Sequence, residues 1–193
     1  MPVLQYGDQQ SLATTIAIRA GELRPAFSFY GQKRLMAACM QGMTGLWAAL
    51  ATPEQRKSHA EQCLGYAITY TSHTSLEPLT WTVAARASFS LGDHEGLNTY
   101  LDYAWRAGRN EQWVAGLRVA LAEEARPVLS ESNQSNHRSD LALMVMSRSG
   151  IAAIADRYWS DIDFRERITA IVEQLPEAEQ RRFVSSVRRA APN

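Results

Sequence analysis

The sequence predicts an all-α fold, and three observations predict it. Apolar residues recur at helical spacings of three and four almost throughout the chain. Helix start and stop signals punctuate the sequence at short intervals. No stretch shows the apolar–polar alternation of a half-buried strand with another strand to pair with; the one β-prone run, Ile68-Thr69-Tyr70-Thr71, stands alone. Together these give about ten helices joined by short turns.

The first helix is expected over Gln9 to Leu23, with Leu12, Ile16 and Ala20 on one face and Arg24-Pro25 redirecting the chain. A long helix is expected over Phe29 to Ala51. In it Met36, Met40, Met43, Trp47 and Leu50 follow at spacings of four, three, four and three. Such a narrow seam packs one helix on another, as plain core or against a second subunit in a homo-oligomer. Thr52-Pro53-Glu54-Gln55 is a strong start signal, with Thr52 as N-cap, Pro53 at the first helical position and Gln55 completing a capping box. The helix it opens turns Ala60, Cys63, Leu64 and Ala67 inward and frays over Thr69 to Ser75.

Pro78 opens the next helix, which carries Trp81, Ala84, Ala85 and Ser88 and closes at Leu91-Gly92. Asp93 caps another, with Leu97, Tyr100, Leu101 and Ala104 on one face, and Gly108 ends it. Asn110 caps a third, with Trp113, Leu117, Ala120 and Leu121, stopped by Arg126-Pro127. Residues 129–139 are polar and poor in large apolar groups, so they read as a surface loop between an N-terminal region, 1–128, and a C-terminal region, 140–193. Four shorter helices follow, over Asp140 to Ser147, Ile151 to Tyr158, Ile162 to Gln174 and Pro176 to Arg189.

The segment Pro78 to Asn110 resembles a tetratricopeptide unit, a helix-turn-helix of about 34 residues with small residues where the helices cross. Trp81 stands at the first-helix aromatic position, Ala84 and Ala85 beside it, Gly92-Asp93 at the turn, Leu101 at the large second-helix position and Ala104 at the late small one. Leu97, Ser88 and Arg109 depart from the pattern, where a small residue, an aromatic and a closing proline are usual. Trp47 falls one repeat length before Trp81, but Pro53 follows too soon for a regular unit. The resemblance implies stacked antiparallel helix pairs forming a right-handed superhelix; an irregular helical bundle is the other architecture consistent with the residues.

Twenty basic and twenty acidic residues cancel, which is unlike a nucleic-acid binder. Arg181, Arg182, Arg188 and Arg189 are offset by Glu173, Glu177 and Glu179 just upstream. The first residues have neither a charged nor an apolar leader segment, and no apolar run approaches the roughly 18 residues of a membrane span, so no membrane insertion and a cytoplasmic location are expected. Cys39 and Cys63 fall among apolar neighbours; a pair of buried free thiols is the default, with a single disulfide left open.

Candidate chemistry reduces to structure. His59 and Cys63, four apart on a helix, lack the further donors of a metal centre. Asp156, Asp161, Asp163 and Glu166 mark a helix start, where acidic residues belong. No phosphate loop, nucleophile elbow or helical carboxylate–histidine motif is present, so no catalytic residues, metal or cofactor are assigned. What stands out is an aromatic and arginine-rich stretch: Trp81, Tyr100, Tyr103, Trp105, Arg106, Arg109 and Trp113. Residues of these types anchor protein interfaces. The expectation is therefore a non-enzymatic interaction module, an adaptor, scaffold or chaperone-like protein, that holds a partner peptide or helix on this surface. Self-assembly through Met36, Met40, Met43 and Trp47 is one alternative; a helical enzyme or small-ligand binder, its pocket between the two halves, is the other.

Overall fold

A computed structural model describes residues 7–24, 28–73, 75–189 and 191, with eleven α-helices, one short 3-10 turn and no strand among them. The chain divides into two units, 1–107 and 108–193. Pro25, expected to redirect the chain, lies outside the described residues.

The first unit holds α1 (Gly7–Arg19), α2 (Phe29–Thr44), α3 (Leu46–Leu50), α4 (Pro53–Thr71), α5 (Pro78–Ser90) and α6 (His94–Ala107). α5 is its centre and packs on α2, α4 and α6. That position suits its sequence, since Val83, Ala84, Ala85 and Ala87 are all buried and small enough for close approach on several sides. Gly92 ends the α5 turn at φ +77°, a left-handed conformation natural to glycine, and Asp93 Oδ1 accepts the Gly96 amide at 2.9 Å to start α6. The Thr52–Gln55 capping box forms in both directions, at 3.0 and 3.2 Å.

Two expectations for this unit change, and a third, left between two readings, takes one of them. α1 buries Thr15 and Ile18 and leaves Ile16 exposed, because it meets α2 and α4 on another face, and it ends four residues early, so that the exposed Ala20 lies beyond it. The expected long helix breaks at Gly45, whose extended backbone separates α2 from α3 and exposes Leu50. The methionine seam is spent within the unit: Met36, Met40 and Met43 are buried and Trp47 is half-buried, since α2 packs on α4 and α5.

The second unit holds α7 (Gln112–Glu124), the 3-10 turn Arg126–Val128, α8 (Glu131–Val145), α9 (Arg148–Ser160), α10 (Ile162–Val172) and α11 (Glu177–Arg189). Its core gathers Val119, Leu141, Met144, Ile151, Phe164, Ile168 and Phe183 from all five helices. Asp161 caps α10 by accepting the Phe164 amide at 2.9 Å, the role expected of that acidic cluster.

The polar loop expected over 129–139 is instead the first half of α8. Ser130 caps it by accepting the Asn133 amide at 3.3 Å. Asn133, His137, Asp140, Leu141 and Met144 form its buried face. Three of those are polar, so the helical period is carried by residues that an apolar pattern search passes over.

Candidate functional site

Two surfaces and two buried clusters hold the chemistry. On the first unit, the aromatic residues of α5 and α6 assemble as their spacing allows. Tyr100 and Tyr103, three apart, share a helix face. Trp81 of α5 stacks on Tyr100 with ring centroids 5.9 Å apart and meets Tyr103 edge-on at 4.9 Å. Trp81 Nε1 donates to the Ser75 carbonyl at 2.8 Å, which fixes the indole. Tyr103 is 41 % exposed, so the cluster opens to solvent. Arg106, one turn on from Tyr103, is exposed and pairs with Asp102 at 2.7 Å. Trp105 is two positions from Tyr103, so its half-buried side chain lies on a different helix face. Arg109 and the exposed Trp113 belong to the second unit. The residues brought together are thus Trp81, Tyr100, Tyr103 and Arg106.

Inside the same unit, α2 and α4 bring Cys39, His59 and Cys63 together. The cysteines form a disulfide, which resolves the question their sequence left open against free thiols. His59 Nε2 lies 3.2 Å from the Cys39 carbonyl and 3.5 Å from Cys63 Sγ. The ring is fully buried. It fits because residue 42 is glycine: a Cβ there would fall 2.2 Å from His59 Nε2. Burial lowers the His59 pKa, and the carbonyls of Cys39 and Thr15 only partly oppose it, which favours the neutral ring. Three soft donors lie within 4.8 Å here, but the bridge consumes both thiolates that a metal would need.

The second unit carries the residues that sequence reasoning missed. Arg118 and Asp140 form a bidentate ion pair, Nε to Oδ2 and Nη2 to Oδ1 both at 2.7 Å, with side chains 2 % and 3 % exposed. Arg118 Nη1 also donates to the Gly108 carbonyl at 3.2 Å. Burial pushes the Asp140 carboxyl above its ordinary value, and Arg118 only partly offsets this. Beside the pair, Glu123 accepts from Arg167 and lies 2.7 Å from His137 Nε2. Burial alone would raise Glu123; hydrogen bonds and charges from His137 and Arg167 outweigh it and hold the carboxyl below its usual value.

α8, α10 and the 3-10 turn also enclose an open groove of about 1010 Å³. Its apolar lining includes Leu129, Leu141, Ile171 and Leu175. Arg126, His137, Arg138 and Arg167 supply its basic side chains, and none of its lining residues is acidic. The only sequence signal for it was the set of polar residues assigned to a loop.

No protein-family model matches this chain, and no curated protein or solved structure does either. Among the described residues, no helix is long and apolar enough to cross a membrane.

Proposed function

We propose that the chain is a non-enzymatic protein-interaction module that seats a partner segment on the α5–α6 face of its first unit. The observation that carries this reading is the Trp81–Tyr100–Tyr103 cluster, held rigid from below and open above. Aromatic anchors of this kind offer large contact area at small entropic cost. Arg106 adds a charge at the rim, and its exposed pairing with Asp102 is weak enough to be exchanged for a partner carboxylate. The partner segment that fits would present an apolar side chain to Tyr103 and an acidic one to Arg106. The likeness of α5 and α6 to a tetratricopeptide unit is consistent with such use and belongs to the same proposal. The Cys39–Cys63 disulfide favours an oxidising compartment over the cytoplasmic location expected from the sequence.

The test is selection of peptides from a random display library on the intact protein, followed by affinity measurements on the Tyr103→Ala, Arg106→Ala double variant. The selected peptides should share an apolar–acidic pair and lose at least about tenfold in affinity, as two rim and anchor truncations imply. Peptides that bind the variant as well as the parent would remove this face as the site.

A further inference from the structure

The groove of the second unit is distinct from the aromatic face and does not depend on it. Its basic side chains come from three elements: Arg126 from the 3-10 turn, Arg138 from α8 and Arg167 from α10. Arg167 is held in place by Glu123, which is nearly solvent-free and also contacts His137. Arg126 and Arg138 are exposed and form no ion pair with any described residue. Two further polar atoms, His137 Nδ1 and Arg167 Nε, are shielded from solvent and have no hydrogen-bond partner among the described residues.

These groups surround an apolar lining. Leu141 and Leu129 are buried beneath it, and Ile171 and Leu175 are half-buried at its side. Basic groups beside unfilled apolar surface, with no carboxylate in the lining, complement a molecule that is anionic at one point and apolar elsewhere. Guanidinium groups recognise carboxylate or phosphate oxygens in a bidentate manner. The low-dielectric wall strengthens that attraction relative to open water.

We propose that the α8–α10 groove is a binding site for a small organic anion with an apolar body. Arg126 and Arg138 hold the anionic group, and Leu141 and Ile171 cover the apolar part. A small molecule fits better than a helix of another protein. The volume of about 1010 Å³ lies at the upper edge of ordinary ligand pockets, roughly 300–1,000 Å³. Arginines drawn from three elements around one space also suit a single charge better than a row of carboxylates along a helix. The stretch of α10 that lines the groove, Arg167 to Leu175, spans only about two turns.

The probes are decanoate and decyl phosphate, which carry chains of similar length on different anionic groups, with decyltrimethylammonium, decanol and acetate as controls. Each is titrated calorimetrically into the full chain, and amide chemical shifts locate the binding. Decanoate or decyl phosphate should bind one to one, with shifts confined to the 3-10 turn, α8 and α10; the tighter of the two identifies the preferred head group. Acetate and decyltrimethylammonium should bind at least about tenfold more weakly. The Arg126→Glu, Arg138→Glu variant should lose at least about tenfold for the anions alone. Both residues are exposed and unpaired, so the variant should retain its fold, checked by its circular dichroism and melting temperature. Equal binding of decanoate, decanol and decyltrimethylammonium would overturn the proposal, since only apolar contact would then be at work. It would also fall if neither anion bound while an acidic amphipathic peptide did, because the groove would then serve a macromolecule.

Discussion

His59 and His137 are both buried histidines on long helices, one in each unit, and their neighbours differ. His59 lies against a disulfide and a backbone carbonyl, in a space opened by Gly42. His137 lies against the carboxylate of Glu123, which is shared with Arg167 and stands near the Arg118–Asp140 pair on the same two helices, α7 and α8. Around His59 the first unit therefore closes its core with apolar packing and a covalent link. The second unit joins α7 to α8 through charges. A buried charge pair stabilises little compared with apolar groups of the same shape, but losing one member is costly. The second unit should thus be the one more easily broken by single substitutions, and the first the one more sensitive to redox conditions.

The largest expected effect breaks this comparison at its strongest point. Asp140→Ala leaves the Arg118 guanidinium buried without its carboxylate and should cost the second unit about 3–5 kcal/mol. The joint replacement Arg118→Met, Asp140→Leu should recover most of that loss. Hydrogen exchange read on peptides from α7 and α8 checks both values, with peptides from α5 as the internal reference. A single variant no less stable than the double one would show that the pair does not hold the two helices together.

Next in size is the disulfide, whose ends are separated by 24 positions. Its reduction releases a loop of that length and should destabilise the first unit by about 3.5 kcal/mol on the chain-entropy estimate. Denaturant unfolding with and without a dithiol reductant measures the difference. Exchange in α2 and α4 should quicken while α8 stays unchanged. If α8 responds as strongly as α4, the units do not unfold separately and the contrast drawn between them fails.

These two cases also show where the sequence was legible. Three caps were readable because each depends on a few adjacent residues, Thr52 with Gln55, Asp93 with Gly96 and Asp161 with Phe164, whereas α7 starts after Glu111 with no side-chain cap and not at Asn110 as expected. Alanine-rich α5 was readable as a helix with small residues at a close crossing, and its Ala84 and Ala85 are buried there. The first half of α8 was not, because Asn133, His137 and Asp140 are polar, and Asp140 gains its partner Arg118 only once α7 is folded beside it. The methionine seam was found as a seam, but which surface it meets depends on α4 and α5, not on α2 itself. Of the aromatic site, Trp81, Tyr100 and Tyr103 converge as helical spacing allows, whereas Arg109 and Trp113 are near in sequence and fall in another unit. The groove was invisible for a related reason, since Arg126, His137 and Arg138 lie in stretches that read as turn and loop, and only Arg167 falls in a helix the sequence marked.

The smallest expected effect is a pH dependence that should separate the units in sign-consistent steps. The folded-state pKa of His59 is lowered, mainly by burial, so the unfolded chain takes up its proton first as pH falls. Its contribution is present above the ordinary histidine pKa of about 6.5 and is lost as pH drops below it. Glu123 is also depressed, against its burial, by His137 and Arg167. Its contribution is present above the ordinary glutamate pKa of about 4.3 and is lost on acidification through the lower folded-state value. Acidification from pH 7 to 5 should therefore loosen α2 and α4 before it loosens α7 and α8, with the second unit following only below about pH 4. Exchange rates of the two helix pairs, corrected for intrinsic pH dependence, are the measurement. Glu123→Gln should abolish the second step and leave the first in place. If α7 and α8 loosen first, the carboxylate is not held by its basic neighbours in the way the geometry requires.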